Sequence, residues 1–110
     1  MDLTQKHCIP CEDKGGIEPF KAEQAGEYLK QVPGWELLSD GKSIGRKFKF
    51  KNFAEALDFV NKVGAVAEKE SHHPDMELGW GYVNIKLTTH AISGLSENDF
   101  ILAAKINSLK

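Results

Sequence analysis

The sequence predicts an α+β domain of two layers, with three helices collected on one face of a four-stranded antiparallel sheet. Three observations carry this prediction. Three separate stretches show helical spacing of apolar residues, two pairs of short alternating segments are joined by glycine-containing turns, and the two kinds follow one another as helix, hairpin, helix, hairpin, helix. A chain of 110 residues holds one such core and is too short for a second.

Residues 1 to 18 sustain no period and are punctuated by Gly15-Gly16, so they read as a leader on the surface, with little to order it. Residues 19 to 110 form the single domain. Phe20, Ala25, Tyr28, Leu29 and Val32 share a helical face, and Pro33-Gly34 ends that first helix. Trp35 to Leu38 and Ser43 to Phe50 read as strands of a hairpin that turns at Asp40-Gly41. Arg46 falls on the apolar side of the second strand and marks either a site or the domain edge.

Asn52 and Glu55 resemble a capping pair, after which Phe53, Ala56, Leu57, Val60, Val63 and Ala67 keep helical spacing. This second helix must stop near Ser71, because Pro74 pushes His73 to an extended backbone. A strand at Met76 to Leu78, a Gly79-Trp80-Gly81 connection and a strand from Tyr82 to Thr89 form the second hairpin, with Val83, Ile85 and Leu87 inward. His90 follows at the strand end. Ser96 and Asp99 resemble a capping box opening the third helix, whose Phe100, Ala103, Ala104 and Ile106 pack inward. The uncovered sheet face and its free edges predict a homo-oligomer.

Composition excludes several classes of partner. With 14 basic and 16 acidic residues the formal charge is −2, which offers no footprint for nucleic acid or an acidic membrane. No apolar run approaches the roughly 20 residues that cross a bilayer. The opening MDLTQKHCIPCEDKGG lacks the apolar segment of a secretory signal, and its single C-x-x-C is not a disulfide framework, so a reducing, cytoplasmic setting is expected.

His72, His73 and His90 cluster at a helix end and an adjacent strand end. Imidazole titrates near neutrality, so a pair can hold one acid and one base at pH 7. Two other readings compete. Histidines at element ends commonly hydrogen-bond loop backbone, and three imidazoles can hold zinc, although adjacent residues of an extended segment point apart and chelate one ion poorly. Cys8 and Cys11, with His7 beside them, supply half a zinc site or a redox pair. No remainder is evident in one chain, and free thiols are expected.

Glu68, His72-His73-Pro74, Trp80, His90 and Asp99 resemble, in type and spacing, the signature of the pterin-4a-carbinolamine dehydratases. The resemblance extends through the Trp35 hairpin, FKFKNFAEALDFVNKV and GLSENDFILAAKI, about residues 20 to 110. It implies that His72 and His90 transfer protons at the 4a-hydroxyl and N5 of the pterin while His73 positions the ring. It also implies a substrate-binding set of Glu68, Asp75, Met76 and Thr89, Glu68 being the nearby carboxylate and the Thr89 backbone binding the amide edge of the ring. Asp99 is already explained by its capping position. Met76 stands where many members place a tryptophan over the pterin, and offers a less rigid wall.

The activity implied is dehydration of a 4a-hydroxytetrahydropterin in tetrahydrobiopterin recycling, in a homodimer or homotetramer, with no metal or organic cofactor. Two alternatives follow from the same resemblance: a related pterin dehydratase in molybdenum cofactor metabolism, and a dimerisation cofactor of a transcription factor.

Overall fold

In the computed structural model, which describes residues 3–7 and 19–110, three helices cover one face of a four-stranded antiparallel sheet. The order along the chain is α1 (Ala22–Leu29), β1 (Glu36–Leu37), β2 (Ile44–Lys49), α2 (Phe53–Glu70), β3 (Asp75–Gly79), β4 (Tyr82–Leu87) and α3 (Glu97–Asn107). The strands lie in the order β1-β2-β4-β3, so β2 and β4 are central and β1 and β3 are edges. The expected class, element order and pairing of helices with one sheet face are those observed.

Alternation along the strands builds the core. Ile44 faces Leu87, Arg46 faces Ile85 and Phe48 faces Val83 across the central pair, and Met76 and Leu78 of β3 fall on the same side. Phe100, Ile101, Leu102 and Ile106 of α3 and Phe59 and Val63 of α2 close over that surface. Arg46, left open between site and edge, is half-buried in the central strand β2. Its Nη1 donates to the Pro33 carbonyl at 3.0 Å and to Asn107 Oδ1 at 2.7 Å, and its guanidinium covers the Phe48 ring.

Two caps fix α2, the helix that leads into the candidate site. Asn52 Oδ1 accepts from the Glu55 N–H at 2.9 Å and opens α2. At its other end Ser71 takes the left-handed conformation (φ 54°), its N–H donates to the Glu68 carbonyl, and the His72 N–H donates to the Ala67 carbonyl at 3.2 Å. These two bonds are a Schellman closure, which holds His72 rigidly against the last turn of the helix.

The first helix and β4 differ in extent from the sequence reading. The first helix is shorter, because Phe20 leaves the helical path to pack on Tyr28 and Phe100. β4 ends at Leu87 instead of Thr89, because the Thr89 backbone turns to pair with Gly94, and His90–Ile92 then form a 3-10 turn. Of the leader, residues 3–7 are described, whereas Cys8, Cys11 and Gly15-Gly16 lie outside the described residues. Leu3 is buried against the core and Lys6 pairs with Glu97 at 2.9 Å, which seats this stretch along α3. No described helix is long and apolar enough to cross a membrane.

Candidate active site

The site is built around the buried carboxylate of Asp99, which has no exposed surface. Its Oδ1 lies 2.6 Å from His72 Nε2, and its Oδ2 lies 2.8 Å from Thr89 Oγ1 and 3.0 Å from the Ser96 N–H. An ionised carboxylate only accepts, so His72 Nε2–H and the Thr89 hydroxyl must both donate to it. Ser96 Oγ, 2.8 Å from Thr89 Oγ1, then donates to Thr89 and accepts in turn from the Asn98 N–H at 3.2 Å. This chain of bonds joins the end of α2, the segment after β4 and the start of α3 at one point.

That connection fixes a protonation pattern. With Nε2 donating to Asp99, a neutral His72 carries its lone pair on Nδ1, and a protonated His72 carries an acidic proton there. The carboxylate sets the orientation of the ring, the arrangement by which a buried acid prepares a histidine for proton transfer. His72 keeps 11% of its side chain exposed, so it is held from behind and open in front.

His90 is the residue after Thr89, and the Thr89 anchor ties its backbone to the carboxylate that holds His72. Its side chain is exposed on the 3-10 turn. His73 points elsewhere, as its extended backbone requires, and its Nε2 is paired with Glu68 Oε2. Both partners of that pair are largely exposed, so it contributes little to stability. Among the described residues no group of three or more histidine, cysteine or acidic side chains is arranged to hold a metal ion.

The structure therefore links His72 to Thr89 through Asp99, and His73 to Glu68, while the other expected site residues lie apart from these bonds. Met76 pairs with Ile85 and packs against the core, whereas Asp75 is exposed on the opposite, open face across from Lys86. Thr89 also differs from expectation. Its N–H donates to the Gly94 carbonyl at 2.9 Å and its carbonyl accepts from Ile92 and Gly94, so its backbone serves the loop and its hydroxyl serves Asp99. A depression of about 590 Å³ lies on the open face among Leu38, Lys47, Asp75, Asn84 and Lys86, and none of the three histidines lines it. Unlike that hollow, the histidine cluster holds an imidazole oriented by a carboxylate with no exposed surface.

Sequence reasoning missed the second use of Asp99. A capping box needs one carboxylate oxygen, and the other was free to face His72 from 27 residues away.

A two-layer α+β domain that orients an imidazole by a buried carboxylate, with a second imidazole on the adjoining turn, is of a class equipped for acid/base chemistry on a small substrate. The comparisons with known proteins are more specific. The family model of the pterin 4 alpha carbinolamine dehydratases matches residues 18–109, and the chain belongs to that family. A relative from Halorhodospira halophila is 54% identical over 109 residues, spanning 99% of this chain and 98% of that one. One from Methylococcus capsulatus is 52% identical over 107 residues, spanning 97% and 92%. Both are provisionally named pterin-4-alpha-carbinolamine dehydratases. Among solved structures, a transcriptional coactivator/pterin dehydratase from Brucella melitensis superimposes with a TM-score of 0.80 at 32% identity, covering 84% of this chain and 98% of that one. A pterin dehydratase-like protein identified as a RuBisCO assembly factor in the alpha-carboxysome aligns with a TM-score of 0.60 at 25% identity, covering 69% and 88%.

Proposed function

We propose that the chain dehydrates a 4a-hydroxytetrahydropterin to the quinonoid dihydropterin, in tetrahydrobiopterin recycling, with His72 and His90 as the proton-transfer pair. The observation that supports this most is the bonding of His72 and Thr89 to the two oxygens of Asp99. One carboxylate thereby ties the two histidine-bearing segments together. The nitrogen lone pair of a carbinolamine assists loss of the hydroxyl, so the protein has only to protonate the departing oxygen and accept the N5 proton. An imidazole held by Asp99 suits either task. His73, braced by Glu68, would flank the ring and position it. Asp75 and Met76 stand at the start of β3 beyond Pro74, and are assigned to the same binding region. The reaction balances without metal or organic cofactor. The working form is a homodimer or homotetramer in the cytoplasm, supported by the free edge that β3 presents.

Titration of the protein, labelled with ¹⁵N in its imidazoles, with a stable 7,8-dihydropterin tests the site. The resonances of His72, His73 and His90 should move together with a single dissociation constant. Shifts confined to one of them, or none at a saturating concentration, would overturn the assignment.

A second reading draws on the names of the two structural neighbours, one a coactivator and the other an assembly factor. Phe53 and Leu57, 44% and 40% exposed, lie one turn apart on the outer side of α2, a surface suited to another helix. Replacing both by glutamate should abolish capture of such a partner while leaving pterin turnover intact. Turnover without any partner captured by the unaltered protein would leave the enzymatic reading alone.

A further inference from the structure

The last turn of α2 buries a carboxylate that the proton-transfer pair does not use. Glu70 leaves only 3% of its side chain exposed, although it ends the helix that leads into the histidine segment. A buried charge is costly unless it is paired, and Glu70 has partners on two other segments. His7 Nδ1 lies 3.0 Å from its Oε2, and Lys105 Nζ lies 3.8 Å from the same oxygen. The carboxylate only accepts, so His7 Nδ1 carries the hydrogen. Lys105 also donates to the Thr4 carbonyl at 2.9 Å, so one ammonium of α3 meets both the end of α2 and the stretch 3–7.

We propose that Glu70 is a positioning residue for His72, clamping the end of α2 to Lys105 of α3 and to the leader. This role rests on the reading of His72 as a proton-transfer group. The N–H groups of Ser71 and His72 are bonded to the Glu68 and Ala67 carbonyls, which makes the stretch from Glu70 to His72 one unit with the helix. A displacement of Glu70 is therefore passed to His72. Along α3, Lys105 follows Asp99 by six residues, a rise of about 9 Å. The bond of His72 to Asp99 at 2.6 Å attaches the α2 end at one point, and the Glu70–Lys105 pair attaches it at another. One attachment leaves the helix end free to pivot, and a second, spaced along α3, removes that freedom. Proton transfer is sensitive to such a pivot, because a misplacement of about 1 Å can cost about 100-fold in rate. The Lys105 side chain is 15% exposed and that of His7 is 72% exposed, so solvent screens the histidine contact more and Lys105 supplies the firmer hold.

The test joins turnover to a signature in His72 itself. Imidazole ¹⁵N shifts distinguish a ring protonated at Nε2 from one protonated at Nδ1, and reading them requires no substrate. Neutral His72 of the wild type should be the Nε2–H form. Glu70→Gln, in protein folded by circular dichroism, should give a mixture of the two forms and lower kcat about 10- to 100-fold with KM changed less than about twofold. Lys105→Met should do the same and serves if Glu70→Gln does not fold. Lys105→Arg, which keeps a cation opposite Glu70, should recover most of what Lys105→Met loses, and His7→Ala should act in the same direction with a smaller effect. A wild-type kcat and a wild-type His72 tautomer in folded Glu70→Gln or Lys105→Met would overturn the proposal, as would an arginine variant no better than the methionine one. Absence of turnover in the wild type would instead refute the pterin reading, and the His72 tautomer would still decide whether Glu70 sets that ring.

Discussion

The two oxygens of Asp99 have separate tasks, and the division governs what substitutions there should do. Oδ2 closes the cap of α3 and binds Thr89, while Oδ1 holds His72. Asp99→Asn retains an oxygen for the cap but places an amide, with its own N–H donors, in a site that has only donors to offer. His72 should then lose its preferred tautomer. We expect kcat to fall with little change in KM and a circular dichroism spectrum like that of the wild type, and an unchanged kcat would remove Asp99 from the mechanism. His72→Ala should lower kcat by about 10²- to 10⁴-fold, the usual worth of a general acid or base. Thr89→Val leaves Asp99 and Ser96 short of a buried partner and should cost about 1–3 kcal/mol in a denaturant titration. At this scale the sequence revealed residue types and spacing, and it placed His72 and His73 on different sides correctly. It did not reveal that Thr89 and Asp99 bond each other, because hydrogen bonds between segments leave no period in a sequence.

The closure of α2 decides where His72 stands. Ser71 occupies a left-handed position that glycine adopts without strain, so Ser71→Gly should stabilise the fold by about 0.5–1 kcal/mol without moving His72. Calorimetry would show a raised Tm, and a lowered one would contradict the closure described. The opposite result is expected at Gly34, which has φ 90° and whose added Cβ would meet the Arg46 guanidinium at 2.6 Å. That guanidinium is pinned by Pro33 and Asn107, so Gly34→Ala should cost about 1–3 kcal/mol. Element types and order were legible because the apolar periods of 2 and 3.6 are strong here, and Pro74 correctly announced the end of α2. Strand ends were less legible. Tyr82 to Thr89 alternates to its last residue, yet Thr89 pairs with Gly94, a contact that alternation cannot foretell.

For the molecule as a whole, the sheet ends on β3, whose outer backbone groups have no neighbouring strand among the described residues. Sedimentation should therefore find a dimer or tetramer, and a monomer at micromolar concentration would contradict the expected assembly. Stability should also fall in alkali for a specific reason. Burial raises the Tyr28 phenol above its ordinary value, aided by its hydrogen bond to Glu97 and the charge there. A phenol raised in the folded state contributes stability below its unfolded value of about 10, and loses it as pH climbs through the folded value. Tyr28→Phe should flatten that alkaline decline. The family was legible in full from the histidine signature. The bond between His7 Nδ1 and Glu70 Oε2 at 3.0 Å was not, since nothing in the sequence pairs residues 7 and 70.

The most direct test is turnover. Stopped-flow decay of the 4a-hydroxytetrahydropterin absorbance should be strongly accelerated by the wild-type protein and return to the uncatalysed rate with the H72A/H90A double variant. Full acceleration by that variant, or none by the wild type, would contradict the assignment of these histidines to the dehydration.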